Sequence, residues 1–189
     1  MKPILVGVSN RHLHLSAADL ETLFGPGAQL TPIKDLGQPG QYACDETVTL
    51  SGPKGSIERV RVLGPVRSRT QVEVSLTDAY RLGIRPPVRE SGDLAGSAPI
   101  IIAGPCGRVE LQEGAILAWR HIHMHTDDAA AYVVKDGDVV KVRVGGDRAT
   151  VFENVIIRVS DTYALEMHVD TDEANAALLQ NGQAVELIK

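Results

Sequence analysis

Histidine is the residue type in this chain whose spacing points most directly to chemistry. Arg11-His12-Leu13-His14-Leu15 and Arg120-His121-Ile122-His123-Met124 are near copies that together hold four of the six histidines. In an extended chain, residues i and i+2 point to the same side, so each copy directs two imidazoles toward one point. Imidazole is a preferred ligand of zinc. The two copies therefore predict two metal-binding pairs, one in each half of the chain.

A second pair of similar segments offers a third ligand for each histidine pair. Val72-Glu73-Val74 aligns with Met167-His168-Val169, and each run leads from an alternating strand into a short helix. We interpret these similarities as an internal duplication that gives two related barrel-like units. Three protein ligands with one open position are typical of a catalytic metal site. The predicted ligand sets are His12, His14 and Glu73 for one metal, and His121, His123 and His168 for the other.

His125 follows the second copy directly and occupies the place where Ser16 begins a helix after the first copy. We expect His125 to begin a helix or to support the ligands rather than to bind metal. The chain contains no G-x-S-x-G elbow, Walker loop or G-x-G-x-x-G motif. Without such a protein nucleophile, either metal-bound water or a second substrate is expected to attack.

The elements that must position these residues are short and mostly extended. Alternating apolar residues predict strands over 57–63 and 139–144, and capping patterns predict helices over 76–82 and 171–179. Val109 to Trp119 is predicted to form a pair of strands. Because long helices do not alternate with the strands, we expect a mainly β protein, built as barrels or sandwiches with small helices at their ends.

Composition excludes several classes of protein. A length of 189 residues fits one large domain or two small ones, and the net charge of −5 argues against a general nucleic-acid binder. No run of about 18 apolar residues predicts a membrane span, and the start is too quickly polar for a signal peptide. Cys44 and Cys106 form no CxxC pair, which favours two reduced thiols in the cytoplasm.

Positive charge is concentrated between Lys54 and Arg89, where eight basic residues outnumber three acidic ones. This basic window is interpretable as a solvated face or as a patch for a polyanionic small molecule, such as a nucleotide-containing cofactor. A loop over 85–98, rich in proline, glycine and serine, follows and overlaps it. A loop of this length without predicted structure suggests a functional or covering role.

Four segments in combination resemble the phosphate propanoyltransferases of the propanediol-utilisation type. They are Val6-Gly7-Val8-Ser9-Asn10-Arg11-His12-Leu13-His14-Leu15-Ser16, Gly64-Pro65-Val66-Arg67-Ser68-Arg69-Thr70-Gln71-Val72-Glu73, the second histidine copy, and Leu165-Glu166-Met167-His168-Val169-Asp170-Thr171-Asp172-Glu173-Ala174-Asn175. The resemblance implies two pseudo-symmetric β-barrel domains capped by short helices, with a two-zinc site between them. It implies one discontinuous domain of residues 1–10 plus 119–189 and a second of residues 11–118.

The resemblance also implies an activity, in which acyl-CoA and phosphate are interconverted with acyl phosphate and CoA. Propanoyl-CoA or acetyl-CoA would be the substrate, each of two zincs would use one of the predicted ligand sets, and Arg67 would bind phosphate. Ser91, Arg69 and Asn175 are assigned to substrate binding on the same basis, and the basic window gains the phosphates of CoA as a partner. Phosphate as the nucleophile explains the missing serine elbow.

The predicted ligand sets differ in one respect that matters for this chemistry. One set is completed by Glu73 and the other by His168, so the two metals are expected to differ in charge environment. A thiolate is a soft zinc ligand, which would let one metal stabilise the departing sulfur while the other polarises an oxygen. Two other functions stay open: a two-metal thioester or phosphoester hydrolase, and a non-catalytic metal- or CoA-binding module.

Two departures from the family pattern bear on location and local structure. His125 stands where the family pattern has Ser or Thr. The chain also lacks the N-terminal extension that members bound for bacterial microcompartments often carry, which favours a free cytoplasmic enzyme over one enclosed in a microcompartment. We expect no nucleic-acid or membrane partner, and homo-oligomerisation and acyl-chain preference stay open.

Overall fold

The computed structural model describes residues 2–188. Within this part of the chain, short segments form fourteen strands and four helices. The strands are β1 (Ile4–Ser9), β2 (His12–His14), β3 (Pro32–Asp35), β4 (Tyr42–Ser51), β5 (Ser56–Gly64), β6 (Gln71–Glu73), β7 (Val88–Arg89), β8 (Ala98–Ala103), β9 (Arg108–Ala118), β10 (His121–Met124), β11 (Val139–Val144), β12 (Thr150–Val159), β13 (Glu166–Asp170) and β14 (Ala184–Ile188). The helices are α1 (Ala17–Phe24), α2 (Leu76–Leu82), α3 (Thr126–Tyr132) and α4 (Thr171–Ala177).

The first compact unit is discontinuous in sequence. It contains the described residues up to Ser9, the short segment Gly37–Pro39, and the chain from Trp119 onward. Its six strands close into a barrel in the order β1-β13-β10-β12-β11-β14. The core of this barrel consists of apolar side chains that alternate inward along the strands, such as Ile122, Ile157 and Met167.

The second compact unit holds Asn10–Leu36 and Gly40–Ala118. Its strands form a sheet in the order β3-β4-β5-β2-β6-β9-β7, and β8 pairs with both β4 and β9. This double pairing closes a six-stranded barrel, β4-β5-β2-β6-β9-β8, while β3 and β7 lie outside the ring. Leu13, Val62 and Val72 are among the fully buried side chains that fill it.

The two barrels have the same pattern of strand pairing. In the second unit, β2 is parallel to β5 and antiparallel to β6, and β6 is parallel to β9. In the first unit, β10 is parallel to β12 and antiparallel to β13, and β13 is parallel to β1. The remaining three pairs of each ring are all antiparallel. The mainly β, pseudo-symmetric fold class expected from the sequence is therefore confirmed.

The matched pairing also shows which strands are exchanged between the repeats. β1 precedes β2 in the chain but closes the barrel of the first unit, whereas β2 belongs to the second. β9 precedes β10 and closes the barrel of the second unit, whereas β10 belongs to the first. The leading strand of each repeat thus completes the barrel built by the other repeat.

Two element predictions were wrong in detail. Residues 109–119 do not form two strands, because β9 is continuous and accommodates Gly114 in a bulge where its register with β8 shifts. The helix predicted over 171–179 ends at Ala177, because Leu178 has a left-handed backbone conformation with φ of 53°. The helix predicted over 76–82 is present with those bounds. Among the described residues, the helices are all too short to cross a membrane.

Candidate metal centres

The first ligand set is assembled by two neighbouring antiparallel strands of the second unit. His12 on β2 lies directly opposite Glu73 on β6, and His14 lies two residues further along β2. The intervening Leu13 points the other way into the barrel core, where it is fully buried. His12 Nε2 lies 3.4 Å from Glu73 Oε2, and one ligand atom from each of the three residues lies within 4.8 Å of the others. These atoms are close enough together to coordinate one metal ion.

The second ligand set repeats this arrangement in the first unit. His121 on β10 lies directly opposite His168 on β13, and Ile122 points into the core between His121 and His123. The ring centroids of His121 and His168 are 5.0 Å apart and nearly parallel, at 15°. Again one ligand atom from each of the three residues lies within 4.8 Å of the others. The strand register, and not only the sequence spacing, is therefore the same in both sets.

The first histidine of each set is oriented by a backbone carbonyl. His12 Nδ1 lies 2.8 Å from the carbonyl oxygen of Asn10, and His121 Nδ1 lies 2.7 Å from that of Trp119. A carbonyl oxygen only accepts, so Nδ1 carries the proton in both rings and Nε2 is left with a lone pair. Histidines that bind metals commonly donate their second ring N–H in this way. The fixed tautomer therefore suits both residues to bind a metal through Nε2.

The second histidine of each set has a buried ring nitrogen without a partner. The Nδ1 atoms of His14 and His123 have no hydrogen-bond partner among the described residues, and an unpaired buried polar atom costs about 1–3 kcal/mol. Burial is the main cause that lowers the pKa of His14 to about 3 and that of His123 to about 2. Both imidazoles are therefore neutral near pH 7, as metal ligands must be. The residues present fit a zinc ion in each set.

Arg67 lies beside the first ligand set. Its Nη1 donates to Ser91 Oγ at 3.0 Å, and its positive charge contributes to the lowered pKa of His14. Ser91 Oγ in turn donates to Glu73 Oε1 at 3.1 Å. The structure therefore brings the predicted phosphate-binding arginine and one predicted substrate residue into contact with each other and next to a ligand. A guanidinium so placed can donate to two oxygens of a bound anion.

Glu166 lies beside the second ligand set and was not among the site residues predicted from the sequence. Its Oε2 lies 2.9 Å from His168 Nε2, and this hydrogen bond is the largest cause of the lowered pKa of Glu166. Gln38, which is buried, donates to the same carboxylate at 3.1 Å. A signal was available, because Glu166 precedes His168 by two residues and so lies on the same face of the strand.

Two further residues near the second set carried no sequence signal of their own. The ring of Tyr163 lies 4.3 Å from that of His123, measured between centroids. Arg158 on β12 is in register with His123 and contributes positive charge that lowers the pKa of this histidine. Both depend on how the chain folds back after β12 and on which strands become neighbours.

The remaining predicted residues lie outside these two clusters. Arg69 is exposed, and its Nη2 lies 4.0 Å from Glu113. Asn175 is an exposed residue of α4. His125 is the N-cap of α3, where its Nδ1 accepts from the backbone N–H of Asp127, so the prediction that it begins a helix is confirmed. Cys44 is a free thiol buried in the barrel core, and Cys106 is free and exposed.

Comparison with known proteins identifies a family to which this chain is similar. The sequence model of the phosphate propanoyltransferase family matches residues 5–180. A phosphate propanoyltransferase of Thermotoga maritima is 63% identical over 187 residues, which cover 98% of this chain and 89% of that protein. Proteins of the same name from Rhodopseudomonas palustris and Rhodobacter capsulatus are 53% and 55% identical, with 98% and 97% of this chain and 82% and 86% of each relative covered.

Proposed function

Because the chain belongs to the phosphate propanoyltransferase family and is therefore an acyltransferase, we propose that two bound zinc ions assist its reaction. The reaction transfers the acyl group of propanoyl-CoA or acetyl-CoA to phosphate and releases CoA, and it runs in both directions. The observation that supports the metal sites best is the repeated register of the two ligand sets, each with one oriented imidazole and one buried, unpaired Nδ1. A fold that needed these histidines only for packing would not leave the same ring atom unsatisfied twice.

The proposed zinc ligands are those of the two sets. His12 and His121 would hold the metal through Nε2, because their Nδ1 atoms donate to backbone carbonyls. His14 and His123 would hold it through the buried Nδ1 atoms, which have no hydrogen-bond partner among the described residues. Glu73 and His168 complete the sets. Bound zinc supplies Lewis acidity toward oxygen and affinity for a thiolate, which is the leaving group in this reaction.

Arg67 positions the phosphate in this proposal. Its guanidinium remains charged at every relevant pH and presents several N–H donors in one plane, which matches two phosphate oxygens. Ser91 fixes that guanidinium through its hydroxyl group, and the same hydroxyl donates to Glu73. The positive charge of Arg67 offsets repulsion between the phosphate and the Glu73 carboxylate. The arginine therefore brings the nucleophile next to a ligand set that also contains a negative charge.

The bonding changes are those of a direct acyl transfer. A phosphate oxygen forms a bond to the thioester carbonyl carbon, and the carbon–sulfur bond breaks as CoA departs with the electron pair. The proton released from hydrogen phosphate neutralises the CoA thiolate in solution. Because phosphate attacks the acyl group directly, the chain needs no covalent serine or cysteine. The buried thiol of Cys44 lies in the barrel core and outside both ligand sets.

A phosphate-dependence assay tests this proposal. Zinc-loaded protein is incubated with propanoyl-CoA or acetyl-CoA, with and without phosphate, while free thiol is detected and zinc is counted by elemental analysis. We expect thiol release only with phosphate and about two zinc ions per chain, since each three-residue set suits one ion. Thiol release without phosphate would identify a hydrolase instead. Zinc-loaded protein that releases no thiol under either condition would contradict the proposed reaction and favour a binding module.

A further inference from the structure

Glu166 and Gln71 occupy the same position relative to their ligand sets. Glu166 lies two residues before His168 on β13, and Gln71 lies two residues before Glu73 on β6. The strand register places Glu166 opposite His123 and Gln71 opposite His14. Each residue is therefore a neighbour of the third ligand on its own strand and of the buried histidine on the adjacent strand.

The hydrogen bonds that these two residues make to the third ligand run in opposite directions. Gln71 Nε2 donates to Glu73 Oε1 at 2.6 Å, so an amide serves a carboxylate ligand. Glu166 Oε2 accepts from His168 Nε2 at 2.9 Å, so a carboxylate serves an imidazole ligand. The hydrogen bond to Nε2 leaves Nδ1 as the ring nitrogen of His168 that is able to bind a metal. Where the third ligand changes from acceptor to donor, its partner changes from donor to acceptor.

Both partner residues are themselves held in place. Gln71 is buried, and its Oε1 accepts from the backbone N–H of Gly92 at 2.7 Å. Glu166 accepts from Gln38, whose side chain is tied to both backbone groups of Ala164. Fixed partners of this kind restrict the orientation of the ligand that they contact.

Two glycines leave the space that the Glu166 carboxylate occupies. A Cβ atom at Gly37 would lie 2.4 Å from Glu166 Oε2, and one at Gly7 would lie 2.8 Å from Oε1. Neither glycine has the positive φ at which a larger residue would be strained. The nearby carboxylate, and not the backbone conformation, therefore leaves no room for a side chain at these positions. An alanine at Gly37 would therefore displace the carboxylate without removing its charge.

We propose that Glu166 and Gln71 are positioning residues that fix the third ligand of each set, and that the chemical type of each is matched to that ligand. This inference rests on the zinc sites of the proposed function. Glu166 fixes the ring and the tautomer of His168 and raises its basicity as a ligand. Gln71 fixes the rotamer of Glu73 and engages Oε1, which leaves Oε2, the atom closest to His12, for the metal.

Zinc affinity, measured by chelator competition on metal alone, tests the inference without relying on turnover. A His14→Ala background isolates the second set, and a His123→Ala background isolates the first. Adding Glu166→Gln to the His14→Ala background removes the negative charge that raises the basicity of His168, and is expected to weaken zinc binding about 10- to 100-fold. Gln71→Met keeps the side-chain length but lacks the N–H donor. It is expected to weaken zinc binding to a similar extent in the His123→Ala background.

Crossed combinations and a glycine pair provide the controls. Glu166→Gln in the His123→Ala background and Gln71→Met in the His14→Ala background should leave zinc affinity unchanged. Gly37→Ala in the His14→Ala background should weaken zinc binding as Glu166→Gln does. Gly145→Ala, at a position with open space around its Cβ, should not. The visible absorption bands of bound Co²⁺ should change only in the combinations that lose affinity, and circular dichroism of the metal-free variants should match the parent.

Unchanged zinc affinity with Glu166→Gln on the second set, or equal losses on both sets, would overturn the positioning role. Failure of the proposed function gives a different result. If the unmodified protein binds two zinc ions but shows no phosphate-dependent turnover, the proposed reaction fails while the affinity differences still decide the positioning role. If the unmodified protein binds no zinc, both proposals are overturned.

Discussion

The two ligand sets share a backbone arrangement and differ in where their negative charge lies. In the first set the carboxylate of Glu73 is itself among the three ligand-capable groups. In the second set the carboxylate belongs to Glu166 and accepts a hydrogen bond from His168. A carboxylate thus lies at each set, as a ligand-capable group in the first and as the partner of one in the second. The repeated backbone accommodates this difference without any change of strand register.

Among the substitutions that test this comparison, loss of the second histidine of either set should have the largest effect on zinc binding and turnover. We expect His14→Ala and His123→Ala each to remove about one zinc per chain and to reduce turnover on the order of 1000-fold, because electrostatic stabilisation of the reacting groups is lost. Elemental analysis and the phosphate-dependent thiol assay measure the two effects. His125→Asn, which replaces a histidine outside both sets and keeps a good N-cap, is the matched control. Full activity with one set disabled would show that the two sets do not act together.

Replacement of Arg67 should have the next largest effect and should distinguish the first set from the second. Arg67→Ala is expected to lower kcat/KM for phosphate roughly 100- to 1000-fold, since a charged donor to the nucleophile is lost. Arg67→Lys should recover only part of this, because an ammonium group cannot replace a planar fork. The zinc content should stay at the parent value. Arg108→Ala, at an exposed arginine of the same unit, is the control. A loss confined to the KM for acyl-CoA would contradict the phosphate role.

Exchange of the third ligand tests whether ligand and partner form matched pairs. Glu73→His alone places an imidazole beside Gln71, whereas Glu73→His combined with Gln71→Glu reproduces the arrangement of the second set in the second unit. We expect the double variant to bind zinc about 10-fold more tightly than the single variant, as a restored partner should. A double-mutant cycle of zinc affinities gives the coupling between the two positions. Additive effects would show that the two residues are independent.

The smallest expected effect concerns the helices that follow the histidine strands. Ser16 caps α1 through its side chain, and His125 caps α3 through Nδ1. Ser16→Ala should destabilise the protein by about 1 kcal/mol, while His125→Ser should be neutral or slightly stabilising, because serine is the preferred N-cap. Urea unfolding of the metal-free protein measures both changes. Marked destabilisation by His125→Ser would show that this histidine does more than cap a helix.

Much of the site was predictable because strand geometry is local. The i, i+2 spacing of His12 and His14 puts both on one face of any strand, whatever its neighbours. Similarity of the segments around Glu73 and His168 then predicted the third positions. Helix α2 was predicted with its bounds, and its start follows from Ser75, a capping residue that the sequence itself shows.

The rest depended on contacts between distant parts of the chain. Gln38 reaches Glu166 across more than a hundred residues, and no spacing rule links them. The continuity of β9 through Gly114 is decided by pairing with β8, which absorbs extra residues in a bulge, and not by the glycine alone. The contact of Ser91 with Arg67 likewise depends on the return of a long loop to the barrel.

The exchange of leading strands has a consequence for how the protein is made. β1 is made before β2 to β14, yet its partners β13 and β14 are the last two of these strands. The backbone groups of β1 therefore have no partner strands until β13 and β14 have been made. By then β9 is already available to close the other barrel. Each barrel takes one strand from the other repeat, so neither repeat made alone would contain all six strands of its barrel as they are connected here.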